Sequence, residues 1–169
     1  NFEIELPVRF TTFKNINKMK IEDAIQQKQF ISEFQKAHIN VLYTASFLNQ
    51  KTLKALKPFH ISPQQFNILR ILRGRHPEPA SVKLLTEKMI DKTSNASRLV
   101  EKLRSKGFVA REASDDDRRK VDVQITKAGL ELIERASVAI EQMIQNYGAS
   151  ITPEEAAVLN EMLDKLRGK

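Results

Sequence analysis

Ser81–Gly129 reads SVKLLTEKMIDKTSNASRLVEKLRSKGFVAREASDDDRRKVDVQITKAG, and its pattern decides the fold. A short helical segment, SVKLLTEKM, is followed by a turn, IDKTS, and a second helix, NASRLVEKLRSKG. Two strand-like runs, FVARE and VDVQI, then flank a charged tip, ASDDDRRK. In the second helix Ala96, Leu99, Val100 and Leu103 follow the i, i+3, i+4, i+7 spacing of one buried face. Ser94, Asn95, Arg98 and Lys102 fall on the opposite face. Asp91 or Thr93 is placed to cap this helix, and Gly107 to stop it. The first helix offers Val82, Leu84, Leu85 and Met89 to a core. Val121, Val123 and Ile125 alternate with Lys120, Asp122 and Gln124, as in a half-buried strand, and Phe108 and Val109 begin its partner. Helix, turn, helix and charged hairpin, in that order, make a winged helix-turn-helix.

Each part has a chemistry suited to duplex DNA. Small polar and cationic groups approach phosphates and base edges without blocking a groove. Asn95 has the amide geometry for adenine, and Arg98 the fork for guanine or a phosphate. Ser94 and Ser97 join them as contact candidates, while Lys92, Thr93, Lys102 and Arg104 suit phosphate or solvent. In the tip, Arg118 is the first choice for a wing contact, with Arg119 and Lys120 beside it, because a narrow minor groove attracts guanidinium. The acids Asp115–Asp117 turn the loop through backbone bonds or brace an arginine. Alone, such a charge run reads as a solvated turn. Its place directly after a recognition-type helix favours the wing.

Residues 62–129 resemble the winged-helix core of the MarR family of bacterial transcription regulators. The resemblance rests on Ser62-Pro63-Gln64-Gln65-Phe66, the Asn95–Leu103 helix, Lys106-Gly107-Phe108-Val109, the Asp117-Arg118-Arg119 wing and Ile125-Thr126-Lys127-Ala128-Gly129. The wing and the Thr-x-x-Gly exit at one spacing are specific together. Flanking helices match in placement more than in residues, and residues 1–20 match nothing in the family. The resemblance implies that Asp117 supports the wing arginine, that the protein is a homodimer through its terminal helices, and that it answers to small aromatic or phenolic ligands. The family's pocket lies between the dimer helices and the reading lobe. Here it would draw on Tyr43, Phe47, Phe59, His60 and Phe66, residues equally suited to a core.

Charge follows the same division. The chain of 169 residues carries 28 Lys+Arg and 21 Asp+Glu, a net +7. Residues 64–127 hold 15 basic and 9 acidic residues, six of those seven charges. A surplus confined to the reading core points to a polyanion as partner. There is no cysteine, so disulfides and thiol redox sensing are excluded. No apolar run approaches the roughly 20 residues of a membrane helix. The start, NFEIELPVRF, makes a poor signal peptide, and a cytoplasmic location is expected.

Outward from the core, residues 1–20 read as an arm in which Phe2, Ile4, Leu6, Val8 and Phe10 alternate with mostly polar neighbours. From Ile21 to Asn49 the spacing is helical, with Ile31, Phe34, His38, Val41, Ala45 and Leu48 in one stripe. Leu53, Leu56 and Phe59 indicate a second short helix ending near Pro58. Ser62 and Gln65 form a capping box with Pro63 at the first helical position, and Phe66, Leu69, Ile71 and Leu72 face inward. Thr126 caps a long helix to about Tyr147, and Thr152-Pro153-Glu154-Glu155 opens another. The expected architecture is mainly α with a small β-hairpin wing (α+β). An arm (1–20) and N-terminal dimerisation helices (21–60) precede the winged core (61–127), and C-terminal dimerisation helices (128–169) follow, all in one compact domain.

His38, His60 and His76 lie far apart, no Ser-His-Asp motif occurs, and the 5 glycines do not cluster. An enzyme, a metal centre and a cofactor are therefore not expected. The expected function is a sequence-specific regulator, a repressor, bound to double-stranded DNA as a homodimer. Two other classes stay open: a sequence-indifferent architectural DNA binder and a protein-interaction module on the same scaffold.

Overall fold

The computed structural model describes residues 19–113 and 121–168, in two units, one ending at Ala45 and one beginning at Ser46. In the first unit α1 (Ile21–Ala24) is a single turn and α2 (Glu33–Leu56) begins only after residues 25–32. The continuous helix expected from Ile21 is thus broken. Gln26 takes a φ of 56°, a left-handed conformation that an α-helix does not accommodate. Ser32 then supports the restart: its Oγ accepts from Gln35 N at 3.2 Å while Gln35 Oε1 accepts from Ile31 N at 2.8 Å. Glu22 and Lys36 pair at 2.6 Å, which holds the Glu22 carboxyl below its ordinary range and raises Lys36.

Where a separate short helix is expected over Leu53–Phe59, α2 runs on to Leu56. Pro58 then ends it, because proline lacks the N–H a further helical turn needs. Lys57–Phe59 tighten into one 3₁₀ turn, and His60 leaves it at φ 54°.

The second unit is built around α3 (Pro63–Arg73). Its start is as the sequence implies: Ser62 accepts from Gln65 N, Gln65 reciprocates on Ser62 N, and Pro63 fills the first position. Ile68, Leu69 and Leu72 are at most 1% exposed, with Phe66 and Ile71 half-buried beside them. Around them pack Leu85 of α4 (Val82–Lys88), Val100 and Leu103 of α5 (Ala96–Ser105), and Ile133 and Ala136 of α6 (Lys127–Gly148). Each buried leucine-sized side chain contributes about 1.5–3 kcal/mol.

The sheet has three antiparallel strands in the order β1 (Ala80–Ser81), β3 (Val121–Ile125), β2 (Val109–Ala113). The β2–β3 hairpin pairs Val109 with Ile125 and Ala113 with Val121. β1 adds Ala80 opposite Val123, a strand the sequence pattern does not announce. Gln124 Nε2 donates to Pro77 O at 2.8 Å and pins the preceding loop to the hairpin.

The hairpin is locked to α6 at a narrow crossing. Thr126 Oγ1 donates to Gly107 O at 2.7 Å and Thr126 N to Phe108 O at 3.1 Å. The same Thr126 oxygen accepts from Gly129 N at 3.1 Å and caps α6. A Cβ on Gly129 would meet Ile125 Cγ1 at 2.8 Å and the Phe108 carbonyl oxygen closer still. The Thr-x-x-Gly motif therefore has a steric reason as well as a capping one.

The apolar side chains of α6 reach the core from Leu130 to Ile140. Leu132, Ile133 and Ala136 are buried, whereas Val138 and Ile144 are exposed. α7 (Pro153–Leu166), opened by the expected Thr152–Glu155 capping box, leaves Val158, Leu159, Met162 and Leu166 exposed. Val41, Leu42 and Phe47 of α2 are exposed too. Among the described residues no helix is long and apolar enough to cross a membrane.

Candidate nucleic-acid interface

Ser81 caps α4 by accepting from Leu84 N at 3.2 Å, and α4 ends at Met89. The turn into α5 is organised by two side chains. Asn67, in the middle of α3, accepts from Ile90 N through Oδ1 at 2.9 Å. Asp91 gathers the rest: its Oδ1 accepts from Thr93 N at 3.0 Å and Thr93 Oγ1 at 2.6 Å, and its Oδ2 from Ser94 Oγ at 2.8 Å. These donors, the Thr93 and Ser94 hydroxyls first, hold the Asp91 carboxyl below the usual aspartate range.

The cap of α5 differs from expectation. Neither Asp91 nor Thr93 supplies it. Asn95 does, its Oδ1 accepting from Arg98 N at 2.9 Å. Asp91 sits too early and closes its own turn instead. The Asn95 carbonyl end is thus committed to backbone, and its Nδ2 remains the group with which it can address a base.

Lys92, Thr93, Asn95, Ser97, Arg98 and Lys102 are all exposed, and Ser94 is half-buried. Arg98 and Lys102 stand one helical turn apart on the face away from Ala96, Val100 and Leu103. Arg104 is differently placed. It forks onto Glu101 with nitrogen–oxygen distances of 2.7 and 3.1 Å. Arg111 of β2 reaches the same carboxylate at 3.3 Å. Arg104 first, then Arg111, lowers the Glu101 pKa. The wing candidates Asp117, Arg118, Arg119 and Lys120 lie outside the described residues.

Phe66, one of the five aromatic and histidine positions singled out for a ligand, lines a space of about 490 Å³ in the second unit. Its apolar walls are Leu48, Pro63, Phe66, Met89, Ile90 and Ile140, and its polar ones Asn49, Thr52, Gln64, Asn67, Arg70 and Asp91. Phe59 packs on the core, and Tyr43 and Phe47 are exposed. His60 is exposed and its carbonyl accepts from Lys106 Nζ. Asn67 is a residue that the sequence pattern alone passes over, and Asp91 is singled out there only as a cap candidate. The available signal is Asn67 itself, a polar residue between Phe66 and Ile68 on a core-facing helix.

A winged helix-turn-helix with a polar, cationic second helix and apolar flanking helices defines a class of transcription regulator. Residues 61–121 match the model of the MarR family. Over 135 residues the chain is 29% identical to the HTH-type transcriptional regulator PecS of Dickeya dadantii (strain 3937), covering 76% of this chain and 78% of that protein. Over 115 residues it is 26% identical to the HTH-type transcriptional repressor IacR of Pseudomonas putida, 68% of each. The fold superposes on a MarR-like transcription regulator from Bacillus cereus ATCC 10987 with a TM-score of 0.73 at 24% identity, over 80% of this chain and 96% of that one. Residues 61–121 are thus similar to the MarR family, and the two curated relatives that resemble the chain are both HTH-type transcription regulators by name.

Proposed function

We propose that this regulator is a repressor that reads a pseudo-palindromic operator as a homodimer and is released by a small aromatic or phenolic ligand. The observation that carries the DNA reading is the exposed face of α5, with Asn95, Arg98 and Lys102 free of the core and the preceding turn fixed through Asp91. Arg118, Arg119 and Lys120 supply the wing contact, and Asp117 supports it. Exposed apolar side chains on α2, α6 and α7 favour pairing with a second copy, since water-exposed Phe47, Ile144 and Met162 gain by burial. Two recognition helices would then lie about one DNA turn apart, roughly 34–36 Å. The repressor sense follows the name of IacR. The ligand reading is supported by the cavity beside Phe66, whose wall includes the turn before α5.

Selection of bound duplexes from a random pool, at two salt concentrations, tests the core of this reading. An inverted repeat with half-sites about one turn apart, retained at the higher salt, is expected. Sequence-blind binding lost with salt would indicate an architectural DNA binder. Absence of binding would leave a protein-interaction module.

A further inference from the structure

The geometry points to Asn67 as a latch through which cavity occupancy reaches the DNA-reading turn, an inference that rests on the ligand-responsive reading above. Asn67 is 6% exposed, and its Nδ2 has no hydrogen-bond partner among the described residues. Its other end is fixed, because Ile90 N is a donor and only Oδ1 can accept from it. The amide therefore cannot turn over to relieve Nδ2. A buried donor left unpaired is destabilising, because it has given up water without gaining a partner. Asn67, Ile90 and Asp91 all line the same cavity.

A molecule that satisfies Nδ2 must present an acceptor, a carbonyl or carboxylate oxygen; a group that only donates cannot. Nδ2 itself is out of contact with water, so the acceptor reaches it as the wall side chains give way. Arg70 lies three residues on from Asn67 along α3 and lines the same wall, so a carboxylate can address both. Asp91 also faces this space, but its oxygens already accept from Thr93 and Ser94. The walls contributed by Leu48, Phe66 and Ile140 suit a flat apolar body.

Coupling then runs through consecutive atoms. The acceptor holds Nδ2, Oδ1 holds Ile90 N, Ile90 precedes Asp91, and Asp91 sets Thr93 and Ser94 at the start of α5. An occupied latch stiffens the turn on which the start of α5 is set, so cavity occupancy is read as a change in DNA affinity.

Benzoate is the probe, with aniline as a ring of similar size that lacks a strong acceptor. In ¹⁵N-labelled full-length protein, benzoate is expected to shift the Asn67 side-chain amide together with the Ile90–Ser94 backbone amides, and aniline is not. The second readout is the ratio of DNA Kd with and without benzoate in each variant, so that a change in basal affinity cancels. That ratio is expected to be about tenfold for the wild type, and under about twofold for Asn67→Asp. The Asn67→Asp exchange keeps an acceptor for Ile90 N and replaces the Nδ2 donor with a second acceptor. Benzoate shifts at the cavity wall that leave the Asn67 amide unmoved would overturn the latch. So would an unchanged ratio in Asn67→Asp, and in both cases a wild-type response to benzoate leaves the ligand-responsive reading standing. Absence of any cavity shift and of any effect on Kd removes both.

Discussion

Replacing Gly129 with alanine tests the packing at the hairpin–α6 crossing. The new methyl carbon would stand 2.8 Å from Ile125 Cγ1 and 3.1 Å from the Phe108 carbonyl carbon, with the carbonyl oxygen nearer still. That carbonyl cannot simply withdraw, because it accepts from Thr126 N at 3.1 Å. Forcing a carbon into such a site costs about 1–3 kcal/mol. Weakening the Thr126 bond adds about 0.5–1.5 kcal/mol. Against this, alanine gains up to about 1 kcal/mol over glycine in a helix. The net expectation is a destabilisation centred on about 2 kcal/mol, with bounds of about 0.5 and 4.5 kcal/mol. Urea unfolding at fixed protein concentration reads it as a lower midpoint with an unchanged slope. Gly148→Ala is the internal control. It sits in the same helix, and nothing lies within 4 Å of the place its methyl would take, so it should be neutral or slightly stabilising. If Gly129→Ala is as stable as Gly148→Ala, the steric account of the Thr-x-x-Gly exit is wrong.

Leu69→Ala, at 0% exposure in the central helix, should cost about 2–5 kcal/mol in the same assay, and a loss under about 1 kcal/mol would contradict its placement. Asn95 carries two duties that substitution can separate. Asn95→Ser keeps a capping oxygen and should leave stability nearly unchanged, while relaxing base preference at one operator position by about 1–3 kcal/mol. Intact preference in Asn95→Ser would remove Asn95 from the base contacts. Because the Asp91 pKa is lowered by folding, its stabilisation is complete above the unfolded aspartate value and is lost as pH falls through the folded one. A ¹³C carboxyl titration should place its midpoint below about 3.9, the ordinary aspartate value, and a midpoint above that would contradict the Thr93 and Ser94 bonds.

Where structure follows from local chemistry, the sequence is a good guide. Ser62–Gln65 and Thr152–Glu155 are capping boxes by pattern and by geometry alike, and Ala96, Val100 and Leu103 do form the buried face of α5. Features decided by tertiary context are less legible. β1 is two residues long and exists through its pairing with β3, so no alternation could mark it. The break before α2 turns on the backbone of Gln26, to which apolar periodicity is blind. Asp91, Thr93 and Asn95 are all good capping types within five positions, and only the geometry of the turn selects Asn95. Asn67 reads locally as a single polar interruption in an apolar face. Its partner, Ile90 N, is 23 residues away. The cavity beside Phe66 is walled by Asn49, Thr52 and Arg70 as well as by apolar groups, polar positions that a search for aromatic side chains does not single out.

The Glu101 carboxylate shared by Arg104 and Arg111 bears on how DNA binding would respond to salt. Each phosphate neutralised by a free cation releases condensed counterions, giving a log–log slope of about −0.9 per contact. A guanidinium already partnered by a carboxylate brings less net charge to the polyanion. Counting lysines and arginines around the recognition helix therefore overstates the slope. Of the proposed contacts Asn95, Arg98 and Lys102, only the two cations would enter the count. Glu101→Gln, by freeing two guanidinium groups, should steepen the salt dependence without adding a single basic residue.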